Sequence, residues 1–496
     1  MVSTIHMTSA SKPAPGAGAR GAPSPQRGSR APVMTAATMS ALVSIVLVAA
    51  VLRPALTSFG PVVERIDAEL GIGSTALGVL GSLPIVCFAV VSAGAQVPAR
   101  RFGIDRVVLV ALVVLAVGLA VRFLPGQAPL WIGTALVGIG IAVGNVLLPS
   151  AVKLWFPSRV SLASGVYTSV LVAFAALGSG LSVPIAEAAG GNWRLALGAS
   201  LPLVLVGVVW WAVRIARSSA AAAAAATAAT AQGHPVTNPA PTSTPPREAR
   251  LWKSPTAWFV TAFMGLQSFH FYVTVTWLPS IERVAGVSDA ASGWHLSLSQ
   301  VVGMLVGILC TALMGRRQDQ RVVGMLTAVP VIAGCIGLWL APGAVPALWA
   351  ALLGAGQGSS LLVAMALIAL RTATPAWTTR LSSMAQSIGY GLAAVGPFLA
   401  GALNDLTGSW LPVIALIGGA AALQGISGYG AGRDVTIGAS PATAKPRVGA
   451  GDTPGTLERG GAATAGGAAD DAFATGDAGG AARDGRTSRR TEKGQP

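Results

Sequence analysis

The sequence predicts an all-α membrane protein of twelve transmembrane helices arranged as two parallel six-helix repeats. Three observations carry that expectation. Only 10% of the 496 residues are charged and 53% are hydrophobic, whereas about a quarter are charged in ordinary soluble domains. Apolar runs of the ~20 residues that cross a bilayer recur twelve times, at 36–62, 77–98, 107–124, 129–152, 162–188, 194–216, 256–279, 293–315, 321–341, 345–370, 381–403 and 410–430. Residue types also recur at a nearly constant offset. Pro61 and Pro279 lie 218 apart, as do Gly178, Glu187 and Gly190 from Gly396, Asp405 and Gly408; Gly138 and Gly140 precede Gly354 and Gly356 by 216. Six spans return the chain to its starting side, so the repeats run parallel about an axis along the membrane normal.

Taken in order, residues 1–34 are rich in Pro, Gly, Ser and Arg and read as a disordered cytoplasmic tail. They show no separate cleavable signal, and the first span serves as an uncleaved one. Residues 35–217 form an N-terminal six-helix bundle. Residues 218–254 are a cytoplasmic linker, opening with alanines that prolong the sixth helix and continuing with prolines that extend the chain. Residues 255–432 form a C-terminal six-helix bundle. Residues 433–496 mix Gly, Ala, Asp and Arg, have little to bury, and read as a second disordered cytoplasmic tail.

The net charge of +15 is a topology signal rather than a nucleic-acid footprint. One set of short loops holds fifteen Lys and Arg; the other holds Arg65, Arg194 and Arg283. This positive-inside bias places both termini in the cytoplasm of a multi-pass plasma (inner) membrane protein. The lipid bilayer is the large partner expected, and nucleic acid is not. Cys87, Cys310 and Cys335 fall within spans and give neither metal nor disulfide spacing. There is no nucleophile–base cluster and no phosphate loop, so the reading is no enzyme, no cofactor and no metal.

Arg53 is the single charge in the first apolar segment before Glu64. A cation at membrane depth costs at least ~2.5–3.5 kcal/mol, so it faces a bundle interior or a wet cavity. Pro54 follows it and loosens the helix turn. Ten acidic residues lie outside the C-terminal tail, and all fall in loops or near span ends. Arg53 therefore reads as the charge partner of an anionic or polar solute; pairing with a carboxylate elsewhere is the competing reading. The missing mid-membrane acid leaves proton coupling to His270, to an edge carboxylate such as Glu187 or Asp405, or to the solute itself.

Three stretches stand out: LRPALTSFGP at 52–61, GIGIAVGNVLLPSAVKLWFP at 138–157 and LSSMAQSIGYGLAAVGPFLAGALNDLTGSW at 381–410. They resemble one branch of the major facilitator superfamily, the cyanate porter and 2-nitroimidazole transporter family. The resemblance implies the major facilitator fold, with a small-molecule solute bound near mid-membrane between the two halves. It implies secondary active or facilitative transport by alternating access. The superfamily's cytoplasmic latch is altered here: in QVPARRFGIDR at 96–106, Arg100 stands where an aspartate is expected and Gly103 keeps its place. The second copy, GRRQDQR, retains Gly315 and Asp319.

The polar residues within spans supply the remaining candidates. For the solute they are Arg53, Asn145, Gln267, His270, Tyr272, Gln357, Gln386 and Tyr390. Gln267 and His270 share a helix face by their spacing, as do Gln386 and Tyr390, while Tyr272 points elsewhere. For Asn145, Gln357, Gln386 and Tyr390 the bland alternative is hydrogen bonding between helices, and for His270 a structural bond to a backbone or hydroxyl group. Gating candidates are Arg122, Lys153, Arg101, Gly103, Gly315 and Asp319. Arg122 could also snorkel to the interface, and Lys153 could simply anchor topology. A second function stays open: efflux of drugs or toxic compounds such as nitroheterocycles. The tails carry no recognisable signalling domain, which argues against a sensor.

Overall fold

A computed structural model of the chain describes residues 36–94, 96–157, 159–232, 251–314 and 319–438. Gly315, the tails expected before 35 and after 438, and the linker core 233–250 lie outside the described residues.

The first segment is a broken helix: α1 (Ala36–Leu52), α2 (Pro54–Thr57) and α3 (Phe59–Leu70). Arg53 sits at the first break. There its carbonyl accepts from Leu56 N (3.0 Å) and Thr57 N (3.1 Å), so the chain re-enters helix directly after the break. Next come α4 (Gly73–Gly94), α5 (Gln96–Phe102), α6 (Ile104–Val121) and α7 (Gln127–Trp155). They are followed by α8 (Val160–Ala188), α9 (Trp193–Gly198) and α10 (Leu201–Gln232). The alanine run does prolong the sixth helix, as far as Gln232.

The second repeat holds α11 (Pro255–Val284), α12 (Asp289–Met314), α13 (Arg321–Leu326), α14 (Ala328–Leu340), α15 (Pro346–Leu370), α16 (Pro375–Thr407) and α17 (Leu411–Ala431). Helix starts follow capping rules: Ser254 and Thr374 cap α11 and α16, each ahead of a proline in the first turn. Residues 433–438, assigned by sequence to the tail, are held in place. Buried Arg371 donates to the carbonyls of Ala431 (3.2 Å) and Gly432 (3.0 Å), and Ile437 N donates to Arg371 O (2.8 Å).

Among the described residues, ten helical stretches are long and apolar enough to cross a bilayer. The two expected spans that fall short lie in α11 and α16. Both carry interior polar groups, including Gln267, Ser268, His270, Thr274, Gln386 and Asn404, which lower their hydropathy. Most of α11 is buried, so protein rather than lipid surrounds its polar groups.

Packing repeats with the sequence. A Cβ at Gly140 would lie 2.8 Å from Ala111 O, and one at Gly356 2.7 Å from Thr327 O. Ala111 and Thr327 are 216 residues apart, as are the two glycines. Gly138 lets α7 approach Pro84 of α4, and Gly354 lets α15 approach Ser299 of α12. Absence of a side chain at these positions permits backbone contact between the same helix pairs in both repeats.

Contacts joining the repeats gather on the side opposite the basic loops. Asp405 of α16 accepts from Ser74 N (3.2 Å) and Thr75 N (2.7 Å), capping the α4 N-terminus from the other repeat. Arg65 joins Glu187 (3.1 Å) and Asp289 (3.4 Å), linking α3, α8 and α12. Beneath them one apolar core takes Phe59, Val62 and Leu80 from the first repeat and Trp277, Ile281 and Val413 from the second. Toward the basic loops, a core around Phe263, Leu367 and Trp377 is built from the second repeat alone.

Candidate functional site

The break at Arg53 opens onto a cavity of about 80 Å³ between the repeats. That is room for several water-sized groups. From the first repeat its wall includes Arg53, Thr57, Thr168 and Leu171; from the second it includes Gln267, Ser268, Phe271, Tyr272, Gln300, Met304, Gln357 and Tyr390. Five of the eight sequence candidates therefore meet in one place: Arg53, Gln267, Tyr272, Gln357 and Tyr390.

Arg53 forms no ion pair with a carboxylate among the described residues, and its Nε is buried without a partner. The guanidinium carbon lies 6.0 Å from the Phe271 ring centroid. Its charge reaches the phenols of Tyr167, Tyr272 and Tyr390, three of the chain's four tyrosines. The Thr57 hydroxyl ties the α2 segment to Ala175 O of α8 (2.7 Å). Gln357 donates to Thr274 Oγ1 (2.8 Å), and Gln267 donates to Ser268 Oγ (2.6 Å) and Met264 O (3.1 Å). Among the described residues, no carboxylate lines the cavity.

Three candidates stand elsewhere. His270 is fully buried, and its Nε2 meets Gln424 Oε1 at 2.8 Å. Gln424 in turn donates to Thr327 and Ser360 (2.9 Å each), so this histidine belongs to a network between helices. The wall positions on α11 are 267, 268, 271 and 272, a stripe whose centre lies well round the helix from 270. The expectation that Gln267 pairs with His270 and that Tyr272 points away is thus corrected. Gln386 turns back to Ser382 Oγ (2.7 Å) and leaves the wall to Tyr390. Asn145 is partly buried and lines neither this cavity nor its neighbour.

Arg122 does not snorkel. It is 2% exposed and donates to Thr134 Oγ1 (3.2 Å) and Ala55 O (3.2 Å). Ala55 lies two residues past Arg53, so one buried cation braces the segment that carries the other. A smaller cavity of about 20 Å³ adjoins Arg122 and shares Tyr272 with the main one. Among the other gating candidates, Lys153 is exposed. Exposed Arg101 stacks on its neighbour Phe102 (5.2 Å). Gly103 starts α6 at φ 86°, a conformation that favours glycine. Asp319 is near Arg321 at 3.5 Å.

Sequence reasoning missed Gln300, Thr57, Thr168 and Ser268. Gln300 had a readable signal, being an amide in the apolar run LSLSQVVGMLVG of the eighth span. The three hydroxyls had none, because hydroxyls are common within spans.

The Major Facilitator Superfamily model matches residues 45–397. The chain is 39% identical over 396 residues to the uncharacterized transporter YycB of Bacillus subtilis (strain 168), covering 79% of this chain and 93% of that protein. It is 34% identical over 396 residues to the 2-nitroimidazole transporter of Escherichia coli (strain K12), covering 80% and 96%. To the cyanate transport protein CynX of the same organism it is 28% identical over 372 residues, covering 75% and 91%. Among solved structures, the D-xylose-proton symporter matches with a TM-score of 0.62 at 13% identity, over 80% of this chain and 98% of that one, a likeness of fold.

Proposed function

The chain belongs to the Major Facilitator Superfamily and is a membrane transporter of small solutes, and we propose that it carries a small anionic or polar solute by alternating access, with Arg53 as the principal charge partner. One observation carries this reading: a guanidinium at a cavity between the repeats, with a buried donor unpaired and no carboxylate on the wall. A positive site of that kind favours a ligand bringing negative charge or strong acceptors. Similarity to proteins named for 2-nitroimidazole and cyanate supports this reading, since both solutes offer strong acceptors.

The excess of Lys and Arg on one set of loops supports reading that side as cytoplasmic, with both termini on it, in a plasma (inner) membrane. In that orientation the contacts at Asp405 and Arg65 close the outer side, and the cavity belongs to an inward-facing state. Efflux of a cationic drug finds no acidic partner on this wall; efflux of a neutral or anionic compound uses the same cavity in the other direction. A proton accompanying the solute would have to ride on the solute itself or on groups away from the wall.

The test is a thermal-shift screen of purified full-length protein against cyanate, acetate, benzoate, neutral polar compounds and organic cations. Ligands that prefer the folded carrier raise its melting temperature by mass action. Anions or neutral compounds rich in acceptors should raise it. A response to cations alone contradicts the proposal.

A further inference from the structure

Two buried side-chain atoms without a hydrogen-bond partner belong to residues of the central cavity wall: Arg53 Nε and Gln300 Nε2. Both are donors. They come from opposite repeats, Arg53 from the break between α1 and α2, and Gln300 from α12. The other amide donors at the wall are already used, Gln267 on Met264 and Ser268, and Gln357 on Thr274. Buried donors left unpaired are rare in native proteins, and each calls for a reason. A bound acceptor is such a reason, since it would satisfy donors that folding leaves open.

Resting on the reading of Arg53 as charge partner, we propose that Gln300 is the second fixed point of the solute site. Together the two residues select a planar two-oxygen head, a carboxylate or a nitro group, carried on a flat ring. The two donors reach the cavity from opposite repeats, and two oxygens held in one plane offer a separate acceptor to each. Carboxylate and nitro share this shape and differ in charge, so one cavity accommodates both. The remaining wall suits the ring, with the Phe271 face on one element and Leu171, Val172, Met304 and Leu361 around it. A solute held this way ties the first repeat to the second, which makes its binding sensitive to how the repeats are set.

The test measures dissociation constants of the full-length protein for benzoate, 2-nitroimidazole and benzyl alcohol, a ring without the two-oxygen head. Wild type should bind the first two at least ~10-fold more tightly than the third. Gln300→Met should weaken both heads by ~10-fold. Its ligand-free melting temperature should hold or rise, because it removes an unsatisfied donor. Arg53→Leu should weaken benzoate more than uncharged 2-nitroimidazole. Gln300→Glu keeps the shape and serves if the methionine variant fails to fold; it should lose benzoate most, through like charge. Wild-type affinities in both Gln300 variants, with benzoate lost in Arg53→Leu, overturn the role of Gln300 and leave Arg53 standing. A fall in ligand-free melting temperature in Gln300→Met makes the amide structural and overturns the proposal. Equal binding of benzyl alcohol, or no binding of either head, overturns the head-group selection. Full benzoate affinity in Arg53→Leu removes the underlying reading as well.

Discussion

Arg53 and Phe271 stand 218 positions apart in the sequence and meet in the structure, with the guanidinium carbon 6.0 Å from the ring centroid. Each repeat thus brings a different chemistry to the same place, a cation from the first and an aromatic face from the second. Such a contact is worth about 0.5–1 kcal/mol when exposed and ~2 kcal/mol when desolvated, and at 6.0 Å this one is at the outer limit of range. Placing the cation at membrane depth costs at least ~2.5–3.5 kcal/mol. The ring therefore orients the guanidinium without neutralising it, and the charge stays available to a solute.

The brace at Arg122 gives the first prediction. Its planar fork reaches Thr134 Oγ1 and Ala55 O together, and a lysine cannot reproduce that fork. Loss of one charge-assisted bond is worth about 1.5–3 kcal/mol. Arg122→Lys should therefore weaken solute binding ~10-fold or more while the protein still inserts. Titration of purified variant against wild type measures it, and equal affinities would separate the brace from the site.

The repeat packing predicts unequal glycine substitutions. A Cβ at Gly354 runs into the backbone of Ser299, whereas one at Gly391 meets nothing within 4 Å. Gly354→Ala should cost about 1–3 kcal/mol through overpacking. Gly391→Ala should be neutral within about 0.5 kcal/mol or slightly stabilising. Melting curves of the two variants decide it, and similar losses in both would contradict the packing account.

Asp405 predicts a pH dependence. Burial pushes its carboxyl up, but hydrogen bonds from Thr75 and Ser74 outweigh burial and hold it below the usual value. Opening that side breaks the bonds and returns the group to ordinary behaviour. The latch is therefore fully present above the usual aspartate value of about 3.9 and is lost as pH falls through the lower, latched value. The closed population should be steady from pH 7 to 5 and drop only below about pH 4. Asp405→Asn, which removes charge from an exposed helix cap, should favour opening at neutral pH by roughly 2–5-fold, since the screened effect is below about 1 kcal/mol. Spin labels at exposed Ala68 and Leu406 report the distance across this side. A closed population that already falls between pH 7 and 5 would reject the latch.

Much of the fold was legible because lipid leaves few solutions. Apolar length located ten spans outright, and the polar α11 and α16 were placed by the same reading despite their lower hydropathy. The 216 offset of Gly140 and Gly356 was readable as well, and its cause is now visible in the carbonyls of Ala111 and Thr327. Arg53 could be found because a lone cation stands out in an apolar run. Helix rotation was harder to read. Three-residue spacing put Gln267 with His270, yet the cavity stripe passes through 267, 268, 271 and 272. Which edge of a helix faces the partner repeat depends on contacts hundreds of residues away, such as His270 with Gln424. Burial of Arg122 was equally hidden, since the carbonyl it meets is on another helix.

The most direct test of the central claim is solute uptake by proteoliposomes holding wild type, Arg53→Lys or Arg53→Leu at equal incorporation, using an anion identified by the thermal-shift screen. A lost charge-assisted contact of about 1.5–3 kcal/mol predicts a ~10–100-fold loss of uptake in Arg53→Leu and partial impairment in Arg53→Lys. Uptake by Arg53→Leu at the wild-type rate would contradict the account.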